Sequence, residues 1–335
     1  MYFFHEGLVS HALEVFKATE FNTPGEGDRF FGTFGPGNLI NVRDRPFERF
    51  SDYVELLDRL MQTDPVKYRR MHKGTPFGFL SWLAFDLRNY EKGLFYLDAA
   101  VSEDVRHANP PDSWINNPGA RVLTLDADPS NNWFRRTVDE VKRLLEHEFQ
   151  RFNGISNRPP LDIRSWPDMV RKLTADANKR TVVSAFYVFT LEFEDHRQEL
   201  QFREGSTGGS NQPFTIHLFT GGLLFESLLK HCYPMNNQGK KNRKLEGVWK
   251  HTDEFLRDFS LSAPPPASAE SLAEIYDAIQ GDTSTKTAFS TAAKLRNTTG
   301  HNLVWDDIFA TPDKYADLFH QVMNAILHVI SRKLV

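Results

Sequence analysis

The chain has 335 residues, 40% of them hydrophobic and 25% charged, with a net charge of −4 and a pI near 6.3. That length suits one large domain or two ordinary ones, and the balance supplies an ample core. It excludes a globally basic nucleic-acid binder, so any contact with RNA or DNA must come from a local patch. The single cysteine, Cys232, excludes an intrachain disulfide and a cysteine metal site.

The opening stretch MYFFHEGLVSHALEVF carries no basic leader before an apolar core, and no apolar run reaches the roughly 18 residues a membrane helix needs. Neither a secretory leader nor a membrane span is expected, and a cytoplasmic location is. The 28 phenylalanines read as rings packed in a core.

In chain order the pattern predicts helices almost throughout. A first segment covers His5–Thr19. Residues 21–46, rich in glycine and aromatics and without period, read as a long loop with a short strand over Asn38–Val42. The run GTFGPG within it lacks a following Lys-Ser or Lys-Thr pair and is not a P-loop. Phe47–Met61 is amphipathic, with Phe50, Tyr53, Leu56, Leu57 and Leu60 on one face. Thr75–Arg88 and Glu91–Val105 read as a helical hairpin of the tetratricopeptide type, Ala99 and Ala100 facing Phe79, Trp82 and Leu83. No second copy follows at a period of about 34 residues, so a solenoid is not expected. Asn131–Phe152 is a further helix, striped with Trp133, Val138, Val141, Leu144, Leu145 and Phe149.

Pro159, Pro160 and Pro167 mark a seam over 153–167, because proline cannot continue a helix. The expected division is a helical domain over residues 1–160 that senses, positions or restrains, and a second helical bundle over 175–335. Its helices are Arg180–Arg203, a segment opened by Pro213, Leu245–Phe259, Glu270–Ile279 and Pro312–Leu334. Gly221 and Gly222 inside the second of these each cost about 1 kcal/mol relative to alanine and imply a close helix contact.

The chemistry concentrates in TAFSTAAKLRNTTGHNLVW, residues 287–305. Arg296 can grip a phosphate and His301 can move a proton near neutral pH. Five residues of unbroken helix would set the two side chains about 140° apart. They converge only if the helix opens, and Thr298, Thr299 and Gly300, all poor helix formers, make that possible.

The R-N-x-x-x-H segment, in a C-terminal bundle and preceded by a helix carrying FESLLK, resembles the HEPN superfamily of helical ribonucleases and RNA-binding modules. The resemblance covers residues 175–335. It implies a metal-independent endoribonuclease without a cofactor, acting on RNA from a composite site at a homodimer axis, in a microbial defence or toxin system. It assigns Arg296, Asn297 and His301 to the motif, with Glu226 a looser, supporting correspondence. By the same resemblance, the 2′-hydroxyl attacks, His301 exchanges protons, and Arg296 neutralises the phosphorane, giving a 2′,3′-cyclic phosphate and a 5′-hydroxyl. The other reading is a bundle that binds RNA or a protein without cutting.

Structural alternatives stand beside each residue. Glu226, among leucines, suits an ion pair with Arg296. Lys240, Lys241, Arg243 and Lys244 form a basic loop that either gathers RNA backbone or is simply solvated. Trp305 either stacks a base or packs in the core, and Asp306 and Asp307 open a helix. The remaining histidines are scattered, with no pair at metal-ligand spacing.

Overall fold

The computed structural model describes residues 2–36, 46–126, 132–156, 160–174, 176–203, 212–299 and 312–334. Among them the protein is all-α, with no strand beyond an isolated bridge between Met235 and Lys241. In chain order the helices are α1 (Tyr2–Ala18), α2 (Pro24–Thr33), α3 (Pro46–Thr63), α4 (Pro65–Arg70), α5 (Gly74–Asp86), α6 (Tyr90–His107), α7 (Pro118–Leu123) and α8 (Asn132–Ile155). Then come α9 (Trp166–Thr174), α10 (Ala177–Arg203), α11 (Gln212–Cys232), α12 (Leu245–His251), α13 (Asp253–Asp258), α14 (Leu272–Ile279), α15 (Thr285–Thr299) and α16 (Pro312–Lys333). None of these helices is long and apolar enough to cross a membrane.

The chain divides into two compact units. The first comprises Met1–Glu140 with Val170–Ser184, and the second Val141–Met169 with Ala185–Val335.

In the first unit, α5 and α6 pack together as a helical hairpin. Its turn is closed by Asn89 N–H donating to the Ala84 carbonyl and Arg88 N–H to that of Phe85, with Arg88 in the left-handed region at φ 55°. The Asn89 side chain then caps α6 by accepting from Lys92 N–H at 3.1 Å. The two helices close tightly because Gly93 faces Phe85, where a Cβ would lie 2.6 Å from the ring. The predicted stripe of α3 is buried throughout, from Phe50 to Leu60.

The region 21–46, read from sequence as a loop, contains α2. Its signal is Thr23-Pro24-Gly25-Glu26: the Glu26 carboxylate accepts the backbone N–H of Thr23 at 2.8 Å, and Pro24 occupies the first helical turn. Three glycines hide the period, yet Phe30, Phe31 and Phe34 enter the same core as Phe16, Tyr53 and Leu83. The predicted strand at Asn38–Val42 lies outside the described residues. Arg180, at the start of α10, is buried and fully engaged. It reaches Asp98 at 2.7 Å, Ser102 Oγ at 2.7 Å and the Thr174 carbonyl at 2.9 Å.

In the second unit α11, α15 and α16 pack together, with the predicted stripe of α16 (Tyr315 to Ile330) inside. Buried His217 fixes α11 to its neighbours: Nε2–H donates to the Phe189 carbonyl at 2.8 Å and Nδ1 accepts from Tyr315 Oη at 2.7 Å. Burial pushes this imidazole down to about 3, so it stays neutral. Phe193 and Phe319 stack at 3.7 Å.

Three local expectations change. Leu245–Phe259 is two helices, because Thr252 between them is extended and buried, its hydroxyl accepting from Asn242 Nδ2 at 3.2 Å. Pro167 opens α9 from inside the predicted seam, where the absent N–H costs nothing. Finally, α15 does not open at Thr298 and Thr299 but runs through both. Thr298 is held by a contact that favours the helical position: its hydroxyl accepts Glu270 N–H at 3.0 Å and donates to the Glu270 carbonyl at 2.7 Å.

Candidate functional site

Two glycines set the site. On α11 a Cβ at Gly221 would lie 2.4 Å from the Phe189 ring, and one at Gly222 would lie 2.7 Å from the Ala292 carbonyl and 2.8 Å from Arg296 Cβ. No side chain fits, so α15 lies directly on α11 at Arg296. One helical turn beyond Gly222 on α11, Glu226 meets the arginine from below.

Arg296 Nε lies 2.9 Å from Glu226 Oε2. The two are close enough for an ion pair, though the N–H is not aligned with that oxygen as a hydrogen bond. The carboxylate side chain is 5% exposed and the guanidinium 38%. Lys230 Nζ, one turn on, reaches the other carboxylate oxygen at 3.1 Å. Arg296 Nη1 donates to Asn297 Oδ1 at 2.7 Å, and Asn297 Nδ2 donates to the Ala267 carbonyl at 2.5 Å. Arg296 Nη2 has no partner among the described residues.

Asn297 therefore spans from the arginine to the segment 264–270, which further contacts lash to α15. Ser290 Oγ donates to the Pro266 carbonyl at 2.8 Å, and Lys294 Nζ reaches Glu270 at 2.6 Å. Proline at 264–266 suits this strap, which needs no helical hydrogen bonds.

Between strap, α11 and α12 lies a cleft of about 820 Å³. Five cations line it, Lys230, Arg243, Lys244, Lys250 and Arg296, against two carboxylates, Glu226 and Glu246. Lys250 is paired with Glu246 at 2.7 Å, whereas Arg243 and Lys244 are exposed with no ion-pair partner among the described residues. A protein of net charge −4 thus concentrates an excess of three positive charges in one concavity.

Of the predicted site residues, Arg296, Asn297, Glu226, Arg243 and Lys244 meet at this cleft. Lys240 and Lys241 belong to the same exposed loop but do not line it. His301, Gly300, Trp305, Asp306 and Asp307 lie outside the described residues. Among those described, no group of three or more histidine, cysteine, aspartate or glutamate side chains could hold a metal ion.

The first unit holds a buried ionic cluster that sequence spacing does not suggest. His72, 7% exposed, places Nδ1 2.9 Å from Asp28 and Nε2 2.9 Å from Asp104, beside a cavity of about 230 Å³. Burial alone would lower this imidazole's pKa, but the bonds to Asp104 and Asp28 overcome it and raise it to about 9. With both nitrogens taken, the ring cannot exchange protons with a ligand. It is a cationic tie between α2, the entry to α5, and α6. Gly74 makes room for it, since a Cβ there would lie 2.6 Å from Asp104 Oδ1.

Comparison with protein families, with curated proteins and with solved structures finds no match to this chain.

Proposed function

We propose that the second unit is a metal-independent endoribonuclease of HEPN type whose substrate strand lies in the cleft at Arg296. The observation that carries this reading is the cleft itself: an excess of cations around Arg296, with the free edges of Arg296, Arg243 and Lys244 available to phosphate oxygens. RNA brings its own nucleophile, the 2′-hydroxyl. Attack on the adjacent phosphorus expels the 5′-oxygen, with His301 taking the proton of the attacking group or supplying that of the leaving one. Arg296 Nη2 neutralises charge as the phosphorane forms, and the buried Glu226 holds the guanidinium in place by its Nε. A second copy across a two-fold axis supplies the other histidine, so that one acts as base and one as acid. The first unit senses, positions or restrains, and defence or toxin systems are the setting the HEPN resemblance suggests.

A second reading has its own observation. Glu226 balances the charge of Arg296, and Asn297 is engaged at both ends, which suits a module that binds RNA without cutting it.

The two readings separate in one experiment on the purified protein with single-stranded RNA in excess chelator. The nuclease reading expects cleavage that Arg296→Ala and His301→Ala each abolish while RNA binding survives. Binding without cleavage by the wild type supports the second reading, and cleavage that persists in the double variant contradicts the first.

A further inference from the structure

The cavity beside His72 in the first unit carries polar groups that the ionic tie leaves unused. Asp104, 7% exposed, lines it. Its Oδ1 accepts from His72 Nε2–H at 2.9 Å, and its Oδ2 has no partner among the described residues. Asp28, 42% exposed, lines it too. Its Oδ1 is shared by His72 Nδ1–H at 2.9 Å and Thr75 Oγ–H at 2.8 Å, while its Oδ2 is unengaged among the described residues. Asn117 lines the same cavity, and its side chain neither caps α7 nor finds another partner among the described residues. An ionised carboxylate oxygen only accepts, and one left without a donor in a buried place costs free energy, so Asp104 Oδ2 calls for a donor.

The lining sets these two carboxylates against one cation, His72, and includes neither lysine nor arginine. Lys73 and His107, close by, are both held by Glu103, at 3.3 and 4.0 Å. The start of α5 lies against Asp104 and adds about half a positive charge, so the cavity stays negative even with His72 protonated. A metal ion is disfavoured, because both His72 nitrogens are occupied and no metal-holding group forms among the described residues. The rest of the wall is apolar, built by Phe79, Ala100, Pro118 and Phe134. Gly78, inside α5, completes it. Glycine weakens a helix interior, and here no close packing requires it, since a Cβ would meet nothing within 4 Å. What this glycine does is keep the cavity open.

We propose that this cavity binds a small primary amine bearing an apolar group, its ammonium donating to Asp104 Oδ2 and its apolar part lying against Phe79 and Phe134. The bond is charge-assisted at both ends and sits where water is largely excluded. His72 is a positioning residue, which holds Asp104 by its other oxygen. The volume of about 230 Å³ suits a benzene-sized ring with a short ammonium arm, since an apolar cavity of about 150 Å³ already admits benzene. The inference does not rest on the chemistry of the cleft at Arg296.

Calorimetric titration of the full chain near neutral pH with 2-phenylethylamine, 2-phenylethanol and 3-phenylpropionate tests it. The ring is common to all three, and the charge is positive, absent or negative. The amine is expected to bind roughly tenfold or more tighter than the alcohol, the effect of one hydrogen bond to a charged group, and the carboxylate not to bind. Asp104→Asn keeps the side chain's shape and can still face His72 with its amide oxygen. It should weaken binding of the amine by roughly tenfold or more. Gly78→Leu fills the cavity from a helix position where leucine is favoured over glycine, so it should abolish binding with no loss of melting temperature. It decides the matter alone if Asp104→Asn fails to fold. No binding of the amine, equal binding of the alcohol or the carboxylate, or amine binding unmoved in a folded variant overturns the proposal.

Discussion

The proton on His72 holds three helical segments together, and removing it should loosen the first unit in a predictable pH window. In the folded protein the bonds to Asp104 and Asp28 raise this imidazole to about 9. In the unfolded chain it titrates near 6.5. A group whose pKa is raised by folding stabilises fully below the unfolded value, and that contribution is lost as pH rises through the folded one. The gap of about 2.5 pH units, at about 1.4 kcal/mol each, gives about 3 kcal/mol present at pH 6 and gone by pH 10. The lowered pKa of Asp28 reports the same contact from its other side and adds nothing further. For a unit of this size the loss corresponds to roughly 6–12 °C in melting temperature. The cleanest assay is urea unfolding of wild type and His72→Asn at pH 6, 8 and 10, read as the difference between the two proteins, which cancels other titrating groups. The difference should shrink by about 3 kcal/mol from pH 6 to pH 10. A difference that stays constant over that range would refute the claim that a protonated His72 ties the cluster.

Three further perturbations follow from packing and charge. Gly222→Ala should destabilise the second unit by about 1–3 kcal/mol in urea unfolding, since its methyl would meet the Ala292 carbonyl and Arg296 Cβ. A variant as stable as wild type would mean that α11 and α15 have room to spare. Ser260, exposed and at φ 54° just after α13, should gain about 0.5–1 kcal/mol on change to glycine, because the left-handed conformation then carries no Cβ penalty. No gain in thermal melting would show that another contact of Ser260 offsets it. Arg243→Ala/Lys244→Ala should weaken RNA binding uniformly across sequences. It should also make the log–log salt slope shallower by roughly 1.4, the value for two single-strand phosphate contacts. An unchanged slope in a fluorescence titration would place the strand elsewhere.

Much of the fold was legible because burial follows helical period. The stripes of α3 and α16 were read from spacing alone and are buried as read, and Gly221 and Gly222 announced the close contact that they make. Helix α2 was hidden because Gly25, Gly27 and Gly32 dilute its period, although its Thr-Pro-Gly-Glu start is a helix signal. The break at Thr252 depends on a hydrogen bond to Asn242, ten residues away, which no local propensity encodes. The same limit applies to ionic clusters. Arg296 and Asn297 were singled out by the R-N-x-x-x-H spacing to His301, and Glu226 was paired with Arg296 on charge and apolar context. His72 meets Asp28 and Asp104 across 44 and 32 residues, and Glu148 meets His320 across 172, so neither cluster has a spacing to recognise. Thr298 shows the converse: a poor helix former by propensity, it is held in α15 by the strap residue Glu270.

The central claim is that the cleft at Arg296 cuts RNA with the substrate's own 2′-hydroxyl. The most direct test is to incubate an end-labelled RNA with the full protein in excess chelator and identify the new termini. The account predicts fragments ending in a 2′,3′-cyclic phosphate with 5′-hydroxyl partners, and no cut at a linkage whose 2′-hydroxyl has been replaced by hydrogen. Fragments with 3′-hydroxyl ends, or cleavage at the deoxy linkage, would contradict it.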